Sequence, residues 1–194
     1  MEKKIKSMSD TKINQKNISV GGDFRQNIDN SINYIIDCEL NKAEIYDCLE
    51  FFLHMSKKDV EMNITVAPAE LNKKLSFNHA GKYIKLFKDY YFIIERVGEV
   101  ISHDFPDGEI IVSSLKSLFY DTIPTDAYDD NGEYNIVDGS HILDVLRKKI
   151  ADRIKNDTRY DPDKLSVEVV DSFVIAFVGY GVSECQILQN PNQC

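Results

Sequence analysis

The stretch YIKLFKDYYFIIERVGEVI sets Tyr83, Phe87, Tyr90, Ile94, Val97 and Ile101 at successive steps of 4, 3, 4, 3 and 4 residues. That rhythm lines large apolar side chains along one side of an α-helix; it does not fit a strand, whose faces alternate every second residue. A helix with such a stripe must lay it against another helix to remove it from water. Asn78, just upstream, is a natural N-cap, so the pattern predicts one helix from about 78 to 101, roughly 35 Å long at the standard rise per residue. Ile84, Tyr91 and Phe92 broaden the arc, which predicts burial on two sides.

The same period recurs along the chain. In NKAEIYDCLEFFLHMSKK, Asn41 and Glu44 have capping-box spacing, and Ile45, Leu49, Phe52 and Leu53 supply the apolar set. Pro68 is placed to start a short helix reaching about Lys74. FPDG ends the long helix, and EIIVSSLKSLFYD repeats Ile111, Leu115, Leu118 and Phe119 before Pro124. TDAYDDNGEYNIVDGSH reads as a polar loop, long enough to be functional or mobile. HILDVLRKKIADRIK places Ile142, Leu146, Ile150 and Ile154 on one face.

The last element, DKLSVEVVDSFVIAFVGYGV, is ambiguous. Val167, Val169, Val170, Val174 and Ile175 favour strand, while Val170, Phe173, Val174 and Phe177 fit a buried helix. Asp161-Pro162 reads as a helix entry and decides for helix. The fold class expected is therefore mainly α: a compact multi-helix domain over residues 34–194. Residues 1–33 form a polar, Asn- and Gly-rich leader, flexible or partly β-like, where Ile18 to Val20 adjoin Gly21 and Gly22. No phosphate-loop pattern surrounds those glycines.

Composition narrows the functional classes. The 194 residues are 43% hydrophobic and 28% charged, which is the balance of a folded domain rather than a disordered chain. No apolar run approaches the roughly 20 residues of a membrane span, and the lysine-bearing N-terminus has no apolar stretch behind it; a cytoplasmic location is expected. Cys38, Cys48, Cys185 and Cys194 show no paired spacing, so reduced thiols are expected rather than a disulfide framework or zinc site. Cys194 stands last in the sequence, out of place for a prenylation box.

Net charge is −9, and between Asp104 and Asp138 nine acidic residues face one lysine, Lys116, a local sum of −8. That segment repels phosphate backbones. Arg147, Lys148, Lys149, Arg153 and Lys155 form a basic run, read first as a solvated helix face near its C-terminus and second as a DNA contact.

Catalytic motifs are sparse. His54, His79, His103 and His141 lie on different segments without metal-ligand spacing. HDFPDGE reads first as a helix-breaking turn; His103, Asp104, Asp107 and Glu109 are its only candidate metal ligands. DAYDDNGEY fails as a calcium loop, because aligning Gly132 with the turn glycine puts Ala127 where the first carboxylate is required. Ser113 and Lys116 have the spacing of a serine–lysine pair, but no companion motif follows. Cys185 follows Glu184, whose carboxylate disfavours a thiolate, so it reads as a core residue.

The order of features over about 68–191 resembles a known family. KKLSFNHAGKYIKLFKDYYFIIERV, SLKSLFYD, a variable polar loop, ILDVLRKKIADRI and the closing FVGYGVSECQILQNP are similar to the C-terminal domain of ABC-three-component (Lamassu-like) bacterial conflict and antiphage systems. The final Cys-x-Ile-x-x-Asn-Pro is the most specific piece. Two departures stand out: only about 65 residues precede the domain, too few for the effector enzyme such domains often carry, and Gln189 stands where an acidic residue is expected. The resemblance implies a non-catalytic adaptor that docks onto an ABC/SMC-like ATPase or a middle component; the residue patterns and charge lead to no cofactor, metal, membrane or direct nucleic-acid contact being expected, and the apolar seam of the 78–101 helix offers a route to a homodimer. Tyr83, Phe87, Tyr90 and Tyr91, with Asp126, Asp129, Asp130 and Glu133, are the expected interaction residues: apolar anchors bury area and charge selects the partner. The alternatives are a metal-dependent enzyme built on the HDFPDGE residues and a DNA-contacting helix at Arg147 to Lys155.

Overall fold

The computed structural model describes residues 40–54, 70–105, 108–184 and 187–192. Among them are seven α-helices: α1 (Lys42–His54), α2 (Leu71–Phe77), α3 (Lys82–Asp89), α4 (Tyr91–Asp104), α5 (Gly108–Tyr120), α6 (Gly139–Lys155) and α7 (Val167–Ser183). A single 3-10 turn, Thr125–Ala127, sits between α5 and α6. The mainly helical expectation holds. The leader, Pro68 and Cys185 lie outside the described residues.

The ambiguous last segment is the centre of the fold. Every residue of α7 from Ser172 through Gly179 is buried, which is what a helix apolar on all sides requires. It touches each of the other six helices, most extensively α4 and α6. β-branched residues are tolerated there because burial on every face outweighs their small helix-propensity deficit. Its N-cap is Ser166, whose hydroxyl accepts the Val169 N–H at 3.3 Å; Asp161-Pro162 belongs to the preceding turn instead.

The other helices each give α7 one face. In α6, Ile142, Leu146, Ile150 and Ile154 are all buried, as their spacing predicts. The α1 capping box forms as expected: the Asn41 N–H donates to Glu44 Oε2 at 2.9 Å, and the Glu44 N–H to Asn41 Oδ1 at 3.0 Å.

The long 78–101 helix is two helices. Tyr90 (φ −94°, ψ 7°) separates α3 from α4. Its N–H still bonds Leu86 O at 3.1 Å, while its carbonyl accepts from both Ile93 and Ile94. Neither proline nor glycine stands at the break. Phe87 from α3 and Ile94 from α4 both close on Gly179 of α7, where a Cβ would lie 3.3 Å from the Phe87 ring and 2.5 Å from Ile94 Cδ1. The stripe itself stays buried from Tyr83 to Ile101. The widened arc does not: Tyr91 is 51% and Phe92 85% exposed.

Asn78 does not cap α3. It ends α2, is fully buried, and its Nδ2 donates to Lys74 O and Gln189 O, each at 2.8 Å. Its Oδ1 accepts the Gln189 N–H at 2.9 Å, and its carbonyl accepts the Gly139 N–H at 3.0 Å. The turn after α2 has thus become a junction for α2, the start of α6 and the 187–192 segment.

Two glycines at helix starts test this arrangement with opposite signs. A Cβ on Gly139 would lie 2.2 Å from Asn78 O, so Gly139→Ala must push α6 off the junction. We expect a loss of about 1–3 kcal/mol or more by urea denaturation, since backbone cannot move aside as a side-chain tip can. Gly81 has helical dihedrals and open space around its Cβ position. Gly81→Ala should therefore stabilise by about 0.4–1 kcal/mol through the unfolded chain.

Candidate functional site

The segment read as a polar loop is folded. Tyr128 and Tyr134 pair as an antiparallel bridge, and the Asn135 N–H donates to Ala127 O at 3.0 Å. Asp129 closes the tip: its N–H donates to Glu133 O at 2.7 Å, and its Oδ1 accepts from the N–H groups of Asn131 and Glu133, both at 2.9 Å. Gly132 supplies the required left-handed turn, with φ +80°, a conformation that residues with a Cβ rarely adopt. Asp129, Asp130 and Glu133 are exposed on this hairpin, and Asp126 is exposed just before it.

Its base is aromatic. Tyr134 meets Phe119, Tyr120 and Tyr128 edge-on, with ring centroids 6.1, 6.1 and 5.8 Å away. Burial raises the Tyr134 hydroxyl well above its ordinary pKa, and the neighbouring phenols and Glu133 add to the rise. The aromatic base carries no charge of its own; Asp126 lies beside it in the Thr125–Ala127 turn, and Asp129, Asp130 and Glu133 charge the tip. Gln189 locks it from the other side: Nε2 donates to Tyr134 O, and Oε1 accepts the Ile136 N–H at 3.4 Å. A glutamate at this place could accept but not donate. That explains the amide where an acidic residue is expected, and it takes residue 189 out of charge-mediated contact.

The expected interaction residues divide. Of the four exposed carboxylates, Asp129, Asp130 and Glu133 stand on the hairpin tip, and Asp126 lies before its base in the Thr125–Ala127 turn. Tyr83, Phe87 and Tyr90 are core residues and offer no area to a partner. A homodimer seam along α3 and α4 on those side chains is corrected accordingly: α7 already covers the stripe. Tyr91 remains outside, edge-on to Phe92 with centroids 5.8 Å apart. Phe92 is expected in a buried arc, but it lies about 200° around the helix from both Tyr90 and Ile94, opposite the buried stripe, and is exposed.

The catalytic candidates do not converge. Cys48 is buried, and desolvation, with Asp47 and Glu44 adding, drives its thiol far above the ordinary value. Ser113 is buried inside α5. Among the described residues no three His, Cys, Asp or Glu side chains are placed to hold a metal ion. His103 Nδ1 lies 2.9 Å from Glu99 O, and Asp104 pairs with Lys42 at 2.8 Å; Asp107 lies outside the described residues. The basic run is dispersed into the fold. Lys149 donates to Asp121 O at 2.6 Å, Lys155 pairs with Asp171 at 3.1 Å, and Arg153 lies over the Phe52 ring at 5.5 Å.

One ionic junction went unseen in the sequence. Asp157, buried between α6 and α7, accepts from Arg159 Nε at 3.0 Å and its backbone N–H at 2.9 Å, and from His54 Nδ1 at 3.2 Å. Arg159 then spans to Glu50 Oε2 at 3.5 Å and lies over the Phe51 ring at 4.9 Å. This latches the end of α1 to the α6–α7 connection. The Arg159 hydrogen bonds hold the Asp157 carboxyl below its ordinary pKa against the opposing effect of burial.

Comparison with known families, curated proteins and solved structures finds no match to this chain. The family resemblance rests on the sequence pattern alone.

Because the folded-state pKa of Asp157 is depressed, its contribution is present above the unfolded carboxyl pKa and is lost as pH falls through the folded value. Asp157→Asn should cost roughly 1.5–3 kcal/mol at neutral pH, the scale of charged hydrogen bonds. The gap between variant and wild type should close in acid, as read from urea midpoints across pH. Gln189→Ala should raise amide hydrogen exchange at Glu133 to Ile136 by releasing the hairpin, and leave α6 protection largely intact.

Proposed function

We propose that this chain is a non-catalytic adaptor of a bacterial antiviral system, working in the cytoplasm and docking through its acidic hairpin onto an ABC/SMC-like ATPase or middle component. The observation that carries this reading is the hairpin itself. Three exposed carboxylates, Asp129, Asp130 and Glu133, are held on a tip whose backbone is closed by Asp129 and whose base, with Asp126 beside it in the Thr125–Ala127 turn, is pinned by Gln189 and three tyrosines. A preorganised charged projection of this kind loses little entropy on binding and selects a basic partner by long-range attraction. The exposed Tyr91–Phe92 pair is an apolar anchor of the type enriched at interfaces.

The rest of the molecule supports contact over chemistry. The nucleophile candidate Ser113 is buried, and Lys149, Arg153 and Lys155 of α6 are engaged by neighbours within the fold, which favours an adaptor over a DNA-binding helix. No helix among the described residues is long and apolar enough to cross a membrane. The particular partner is drawn from the resemblance of residues 71–191.

The test is co-purification with an ABC/SMC-like ATPase and a middle component of such a system, using wild type and the triple variant Asp126→Asn, Asp130→Asn, Glu133→Gln. These three side chains carry charge without the closing hydrogen bonds of Asp129. Wild type should capture one of the two proteins, and the variant should associate roughly tenfold or more slowly with a flatter salt dependence. Capture of neither protein by wild type, or a variant indistinguishable from it, overturns the reading.

A further inference from the structure

The tip of the hairpin contains the one Asn-Gly pair of the whole sequence, Asn131-Gly132. Both residues are exposed, so water reaches the Asn131 amide. An asparagine followed by glycine is the kind most prone to lose its side-chain amide. The attacking group is the backbone nitrogen of the next residue, and glycine puts no Cβ in its way. Nothing stands within 4 Å of the place a Cβ on Gly132 would occupy, so the tip has room to bend into the reactive shape.

The closed hairpin opposes that reaction. The Gly132 N–H donates to Asp129 O at 3.0 Å, so the nitrogen that must give up its proton is already engaged. The Asn131 N–H is held by Asp129 Oδ1 at 2.9 Å, which fixes the main chain on the other side of the reacting side chain. Asp129, Asp130 and Glu133 crowd the tip with negative charge, which disfavours an anionic nitrogen. Bonds at an exposed tip nevertheless open far more often than a whole domain unfolds. A reaction confined to the opened form runs at its intrinsic rate multiplied by the open fraction, the law that also governs amide exchange. That fraction is set at the hairpin base, where Gln189 Nε2 donates to Tyr134 O and Oε1 accepts the Ile136 N–H.

We propose that Asn131 is a spontaneous deamidation site gated by this hairpin. In the opened tip the Gly132 amide gives its proton to hydroxide, and its nitrogen attacks Asn131 Cγ. The new N–Cγ bond closes a five-membered succinimide ring while the Cγ–Nδ2 bond breaks, and Nδ2 takes a proton from water and leaves as ammonia. Water then opens the ring at either carbonyl, leaving an aspartate or an isoaspartate. The sum is one water taken up and one ammonia released, with nothing oxidised or reduced. Either product adds a negative charge to a tip that already carries three carboxylates. The isoaspartate also lengthens the main chain by one methylene, which displaces the closing bonds to Asp129. The occurrence of the modification does not depend on the docking reading; only its effect on a partner rests on that reading.

The test incubates the full-length protein beside the peptide TDAYDDNGEYN, which reproduces residues 125–135, in neutral buffer at physiological temperature. Conversion at residue 131 is read by peptide mapping in a mass spectrometer and by an isoaspartate-specific methyltransferase. The peptide should convert fastest, and the wild-type protein severalfold more slowly. Gln189→Ala, which frees the hairpin base, should move the protein toward the peptide rate. Asp129→Ala, set against a peptide with the same change, should do likewise and decides the matter if the Gln189 variant does not fold. Asn131→Gln, whose ring closure needs six members, should abolish the signal. A protein that converts as fast as its peptide, or a folded release variant no faster than wild type, overturns the proposal. So does a peptide that fails to convert, or one that converts while residue 131 stays intact in the protein and in both release variants.

Discussion

The amide of Asn78 is the point on which the fold depends. It sits where water cannot reach, so each of its polar atoms must find a protein partner or the burial is strongly unfavourable. Those partners come from three places far apart in sequence: Lys74 at the end of α2, Gln189 beyond α7 and, through the Asn78 carbonyl, Gly139 at the head of α6. All three must be in position together. The junction therefore couples the entry of α6 to the docking of the 187–192 segment, and a local slip at either is felt at the other. Lys74, also buried, reinforces it by donating to Val182 O at 3.0 Å, near the C-terminal end of α7 where the helix dipole favours a cation.

From that junction the order extends outward to the surface. Gln189 uses its backbone on Asn78 and its side chain on Tyr134 and Ile136. A single residue thus connects the buried hub to the base of the acidic hairpin. The hairpin is stiff because its support lies in the interior, and its tip is charged because nothing apolar is needed there to hold it. A solvated loop of the same composition would have to be ordered on contact, at a cost in affinity. Rigid display of like charges makes sense when the partner is found by electrostatic attraction rather than by a large apolar patch.

α7 organises the apolar faces of the domain. A helix that is hydrophobic on every side has to be surrounded, and each surrounding helix spends its own stripe in doing so. Outside it, exposed apolar side chains such as Phe92 and Val137 stand beside short-range ion pairs: Lys42 with Asp104, Lys82 with Asp144, Lys155 with Asp171. Such exposed pairs add little to stability. They do set the local potential, and Asp129, Asp130 and Glu133 at the hairpin tip make it negative there.

Helix by helix, the periodicity of the chain determined a great deal by itself. The buried faces of α5 and α6, the capping box at Asn41 and the burial of Tyr83 through Ile101 follow from spacing, because a side chain's face on a helix is set by local geometry alone. Charge counting likewise located the acidic tip, since Asp129, Asp130 and Glu133 are neighbours in sequence. What stayed illegible depended on distant partners. No proline or glycine near Tyr90 marks the break, and the contact that Phe87 and Ile94 on either side of it both make is with Gly179, some 90 residues away in sequence. Asn78 has the composition of a cap and the role of a hub, and only the arrival of Gly139 and Gln189 distinguishes the two. Arg147 reads as one cation in a solvated run until α3 brings Tyr83 beneath it. In each case the sequence states what a residue can bond, and the tertiary structure decides what is there to be bonded.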